Sequence, residues 1–89
     1  MTIQTRQTTI IRDRNHASFC VAYGLSPEFL LDADGIVVAE FPVSPELFEA
    51  TNAYLHNSPI PVQSFVSACR YVGDRINNLK RNRRCNHGN

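Results

Sequence analysis

Four residues of this chain have the side chains that a transition metal selects: His16 and Cys20, four apart, and Cys85 and His87, two apart. Two thiolates and two imidazoles make a tetrahedral zinc set, and the first pair would share one face of a helix. Two features weigh against that chemistry. Cys-x-His is not a common zinc-knuckle spacing, and Cys20 sits equally well as a small apolar residue on a buried helical stripe. The four remain the weak metal candidates, and no metal or cofactor is expected.

Nucleophilic catalysis needs a thiolate beside a base, and Cys20 or Cys69 with His16 or His56 could supply the two residue types. Both cysteines, however, fall at apolar helical positions, where a buried thiol is inert. The stretch "DADG", residues 32–35, resembles the opening of a calcium loop. It lacks the further oxygen ligands and the closing glutamate, and a hairpin turn accounts for it fully. With no Gly-rich phosphate loop either, the chain is expected not to be an enzyme.

The third chemical feature is the basic end, "LKRNRRCNHGN". At about 100° per residue from Val62, Arg70 falls near 80°, Arg75 near 220°, Lys80 near 0° and Arg81 near 100° around a helix. A groove-reading helix needs convergent donors, and these do not converge. Arg70 and Asp74, four apart, are expected to pair along the surface. Lys80, Arg81, Arg83 and Arg84 complement the negative end of a helix dipole. Tyr71, placed opposite the apolar stripe, adds an outward aromatic of the kind that interfaces use. Arg70, Tyr71, Arg75, Lys80, Arg81, Arg83 and Arg84 are therefore the candidate macromolecular contacts.

The elements that must position these residues follow from periodicity and stop signals. The first ten residues are Thr-, Gln- and Ile-rich and read as an edge strand or a loose arm. Asp13 can cap a helix ending at Tyr23, with Ala17, Cys20, Val21 and Phe19 as apolar positions and Gly24 as the stop. "EFLLDADGIVVAEFP" reads as a hairpin with Phe29 and Leu31 on one face and Val37, Ala39 and Phe41 as the matching set. Ser44, Pro45 and Glu46 open a second helix whose inner stripe is Leu47, Phe48, Thr51, Tyr54 and Leu55. After Pro59 and Pro61 a third helix carries Val62, Phe65, Val66, Cys69, Val72, Ile76 and Leu79 on one stripe. The expected fold is α+β: helix, β-hairpin, helix, helix, with three helices packed on a short antiparallel sheet. Residues 1–11 form an arm or edge strand, 12–80 one globular domain, and 81–89 a basic, flexible tail.

At 89 residues, with 43% hydrophobic and 19% charged residues, the chain has one ordinary globular core and no room for a second. No apolar run approaches the ~20 residues of a membrane span, and the start lacks a signal-peptide layout. Three cysteines without paired spacing suit a reducing compartment, so a cytoplasmic location without membrane attachment is expected. The formal charge of +1 hides a segregation: +2 over residues 1–14, −6 over 15–69 and +5 over 70–89. A chain so divided can pair with itself or offer a basic end to an anionic partner.

The runs "RDRNHASFCVAYG", "DGIVVAEF", "SPELFEATNAYL" and "VQSFVSACRYVGDRINNL" together resemble a family of small phage and bacterial proteins classed as a domain of unknown function. Asp13, Ala17, Phe19, Gly24, Gly35, Phe41, Glu46, Tyr54, Val62 and Leu79 carry the match, over Arg12 to Leu79. Cys20 departs from the family's usual leucine, and the C-terminal extension lies beyond its pattern. The matched residues are core and turn residues, so the resemblance implies the fold and a mobile-element setting, and transfers no catalytic or binding residue.

The function expected from these readings is a small non-enzymatic interaction protein, phage- or mobile-element-derived, that docks on a host or phage macromolecule, with a protein as the partner and a homo-oligomer as a possible form. The alternative is a nucleic-acid-binding accessory protein that uses its basic termini. A third reading is an oligomer that sequesters a small ligand.

Overall fold

The first two helices begin where a side chain satisfies the free backbone and end where backbone N–H groups close the last turn. In the computed structural model, which describes residues 7–87 and their side chains through Arg81, the Asp13 carboxylate accepts the Asn15 N–H at 2.9 Å and starts α1, Arg14–Ala22. Gly24, at φ +104°, closes it: its N–H donates to the Val21 carbonyl while that of Leu25 reaches Cys20. That pair of bonds needs a left-handed residue at the first position outside the helix. The Ser44 hydroxyl accepts the Leu47 N–H at 3.1 Å and opens α2, Pro45–Leu55. There the same closing motif uses Asn57 at φ +55°, with Ser58 donating to Ala53. α3 runs Val62–His87.

Three strands, β1 (Thr8–Ile11), β2 (Glu28–Leu31) and β3 (Val37–Pro42), form an antiparallel sheet in the order β1-β3-β2. The fold is thus the α+β arrangement of helix, hairpin, helix and helix, preceded by a strand. Thr8–Ile11 takes the edge-strand alternative. Residues 32–35 turn the hairpin, with Asp32 Oδ1 accepting the N–H groups of Asp34 and Ile36, both at 2.9 Å, and Gly35 at φ +81°. The opposed pairs Phe29↔Ala39 and Leu31↔Val37 confirm the parity read from the sequence.

The phase of the β1–β3 ladder is set by the Val43 N–H, which donates to the Gln7 carbonyl at 2.9 Å. With Thr8 opposite Pro42 and Ile10 opposite Glu40, antiparallel alternation turns Thr9 and Ile11 toward β3 and leaves the N–H and C=O of Thr8 and Ile10 facing the open edge. Pro42 is tolerated because its missing N–H falls on the β2 side, beyond the end of that strand.

Helix α1 packs against both α2 and α3, which meet little of each other. Its Ala17 and Cys20 join Ile11, Phe29, Ala39, Phe41, Leu47, Ala50 and Val72 in one core. The molecule measures 20 Å along its shortest axis, about the thickness of one sheet and one helix layer; among the described residues only the central α1 and β3 are buried at three or more successive positions.

That thinness corrects part of the expected core. Phe48 and Leu55 of α2 are 64% and 70% exposed and Val62 of α3 is 72% exposed, although periodicity placed all three on inner stripes. α2 packs mainly on α1, so the face bearing Leu47 and Ala50 is covered and the rest of its apolar arc is not. Backbone geometry also corrects the C-terminal boundary: residues 81–87, expected to be tail, continue α3. Lys and Arg are good helix formers, and cations near the C-terminus favour the helix dipole. Residues 88–89, the rest of that expected tail, and residues 1–6 of the expected arm lie outside the described residues.

Candidate functional site: a cleft beside the free edge strand

β1, the start of α1 and α2 enclose a cleft of about 410 Å³. Ile11 and Leu47, both core residues, line its inner side, and Val43, 40% exposed, and Phe48 form its apolar walls. Ile10, 41% exposed, borders it from the strand edge, its side chain turned to the opposite face from Ile11. Thr9, Arg12, Asp13, His16 and Thr51 supply its polar groups. The β1 edge beside it presents backbone groups of Thr8 and Ile10 that have no backbone partner among the described residues.

The polar groups are linked in a chain of contacts. The Cys20 thiol hydrogen-bonds Thr51, whose hydroxyl lies 3.1 Å from His16 Nε2. The His16 ring stacks on Tyr54, 4.8 Å between centroids and 3° from parallel. The Tyr54 hydroxyl donates to Asp13 Oδ2 at 3.0 Å.

Partial burial lowers the His16 pKa from its ordinary value, with the nearby Asp13 charge opposing. Desolvation works against ionisation of Asp13, but the bonds from Tyr54 and from the Asn15 and His16 amides outweigh it and hold its pKa below the usual range. The bond to Asp13 in turn raises the Tyr54 pKa, helped by desolvation. Burial pushes the Cys20 thiol up to about 11, the Thr51 bond notwithstanding. A buried thiol so raised is mostly protonated at neutral pH in the metal-free chain. The arrangement is a positioned neutral imidazole beside an apolar cleft, suited to binding.

The sequence-predicted residues are brought together only in part. His16 and Cys20 are bridged by Thr51, while Cys85 and His87 lie outside the described side chains. Among the described residues no three His, Cys, Asp or Glu gather as a metal set. Asp32 spends one carboxylate oxygen on the turn and the other on Arg12, at 2.7 Å. That ion pair holds its pKa down, aided by the Ile36 amide.

The contact candidates are dispersed over α3. Tyr71 is 45% exposed, as expected of an outward residue, while one edge of its ring meets Phe29 at 6.0 Å. Arg75 lies over the same Phe29 ring at 5.9 Å. Arg70 is on the opposite flank, beside Arg14, and the expected Arg70–Asp74 pair is not among the ion pairs of the described residues. Lys80 and Arg81 are exposed, and the side chains of Arg83 and Arg84 lie outside the described set.

Periodicity missed the cleft because its walls come from three elements. The available signal was the pair of apolar residues in the short edge strand, Ile10 and Ile11. Among the described residues no helix is long and apolar enough to cross a membrane. No protein-family model, curated protein or solved structure matches the chain.

Proposed function

We propose that this protein is a non-enzymatic interaction module that captures an extended, apolar segment of a partner protein along β1. The observation that carries this reading is the coincidence of two unsatisfied surfaces. Exposed Val43 and Phe48 wall the cleft, and the neighbouring strand edge carries donors and acceptors at Thr8 and Ile10 that have no backbone partner among the described residues. An added strand satisfies both at once, by backbone bonds to the edge and by alternate side chains in the cleft. Natural edge strands are usually blunted by a charge, a proline or a bulge, and Thr8–Ile11 contains none of these residues.

Burying an Ile, Val or Phe side chain contributes about 1.5–3 kcal/mol. Association costs on the order of 4–15 kcal/mol in lost freedom. The gain from a few such side chains and backbone bonds is of the same size as that cost, so the complex is expected to be weak, micromolar at the tightest. A phage or mobile-element setting rests on the family resemblance, and a host or phage protein is the partner class it suggests. Nucleic acid is the weaker reading, because Arg12 is paired with Asp32 and Arg75 is engaged with Phe29.

Panning a random-peptide display library on the immobilised protein tests the reading. Enriched peptides should alternate large apolar residues, bind in the micromolar range and lose at least ~10-fold in affinity, about 1.4 kcal/mol, to Phe48→Glu. No enrichment, or peptides indifferent to both Phe48→Glu and Ile10→Glu, would remove the cleft as a binding site.

A further inference from the structure

One residue keeps the described cations of α3 from sharing a flank. At about 100° per residue from Val62, Lys80, Arg70 and Arg81 fall near 0°, 80° and 100°, and Arg75, near 220°, alone breaks that arc. The fold takes Arg75 out of the set, because its guanidinium lies over the Phe29 ring. The other three line one side of the helix, along about 16 Å of its axis from Arg70 to Arg81.

A fourth cation joins them from another element. Arg14, the first residue of α1, shares a groove of about 420 Å³ with Arg70, Asp74 and Asn77. It crosses α3 at Gly73, which falls near 20° in the same arc, by the same ~100° per residue. A Cβ there would lie 2.5 Å from Arg14 Nη2. Glycine is among the poorest residues for a helix interior, so the helix gives up propensity at the position that seats this arginine. All four cations are exposed, and none forms an ion pair among the described residues. Asp74 is the single acid lining the groove.

We propose that this flank of α3 is a second docking surface, separate from the cleft and independent of Arg12 and Arg75, for the phosphate backbone of duplex nucleic acid. A row of cations on a rigid helix fits an anion of regular spacing, and a duplex carries one charge per about 1.7 Å of its axis. Arginine pairs bidentately with phosphate, and Asn77, near 60° at ~100° per residue, adds a neutral donor of the kind that contacts phosphate oxygens. Other polyanions fit less well. Single strands are held by aromatic stacking, and Tyr71 and Phe65, near 180° and 300° at ~100° per residue, both lie off the arc. A lipid surface needs a broad apolar face beside the cations, and the only large apolar residues exposed on this flank, among the described residues, are Val62 and Val66.

Fluorescence anisotropy of a labelled ~20-base-pair duplex titrated with the full chain tests the surface. Binding should be micromolar at ~50 mM salt, with log affinity falling against log salt at a slope of about −3.6 or steeper, as about four phosphate contacts require. The double variant Arg70→Ala/Arg81→Ala should bind at least ~10-fold more weakly and flatten the slope by about 2, and Gly73→Ala, which displaces Arg14, should flatten it by about 1. Arg75→Ala should stay within ~2-fold of wild type. Arg70, Arg75 and Arg81 are exposed, and circular dichroism of each variant checks the fold. No binding at ~50 mM salt, a slope unchanged in the double variant, or an Arg75→Ala loss as large as that of the double variant would overturn the proposal. So would displacement of the labelled duplex by polyglutamate or phosphatidylserine vesicles as effectively as by unlabelled duplex at equal charge.

Discussion

The chain around His16 and the basic stretch of α3 hold most of the residues with chemical potential, and the fold treats them oppositely. At His16, groups from three places in the sequence are drawn together: Asp13 ahead of α1, Cys20 within it, and Thr51 and Tyr54 from α2. On α3 the cations are near one another in sequence and are sent to different flanks, Arg75 to Phe29 and Arg70 to the Arg14 groove. Proximity in sequence thus proves a poor guide to shared function, because a helix turns neighbouring positions about 100° apart. The first region is tied to the core through Cys20 and should be sensitive to change. The second lies on the solvent side and should tolerate it.

The strongest attempt to break this contrast is Cys20→Leu, which enlarges a filled core position. Cys20 is completely buried, and overpacking a filled core site costs about 1–3 kcal/mol. For a domain of this size each kcal/mol moves the melting temperature by roughly 4–8 °C, so a fall of several degrees is expected by calorimetry. An unchanged melting temperature would mean that the region around Cys20 is loosely packed.

Next in size is Asp13→Ala, which removes both the α1 cap and the acceptor of the Tyr54 bond. Loss of a cap costs about 0.5–2 kcal/mol, whereas Lys80→Ala, at an exposed position, should stay within about 0.5 kcal/mol of wild type. Urea midpoints of the two variants measure the contrast directly, and equal shifts would abolish it.

The smallest effect is a pH dependence. The folded-state pKa of His16 lies below its ordinary 6.5, so the unfolded chain takes up that proton first. Its contribution to stability is complete above pH 6.5, declines as pH falls through the ordinary value and levels off below the folded one. The lowered carboxylates Asp13 and Asp32 add a second decline below about pH 4. Urea midpoints from pH 7.5 to 5 should fall for the wild type and fall less for His16→Gln. Parallel curves would show that His16 is as well solvated in the folded chain as in the unfolded one.

Much of the architecture was legible because local rules specify it. Asp13, Gly24, Ser44 and Pro45 mark helix ends through the backbone groups they satisfy, and the parity of Phe29 with Ala39 follows from the two-residue repeat of a strand. What was not legible concerns coverage. Phe48, Leu55 and Val62 lie on apolar arcs that periodicity detects, but periodicity reports only that an arc is apolar, not that a partner stands over it. The Tyr71 contact with Phe29 was hidden for a related reason, since it depends on where β2 passes beneath α3. Cys20 was correctly read as a core residue, yet its link through Thr51 to His16 needed α2 to be docked on α1.

The sequence by itself determined the order of elements, their ends and the faces they would prefer to bury, because capping, turn chemistry and side-chain repeat act within a few residues. Only the tertiary structure decided which of those faces were covered. A two-layer packing has no third layer to close β1, the outer arc of α2 or the flank of α3. The surfaces proposed here for binding are those left open when packing, a property of the whole chain, ran out of elements to cover them.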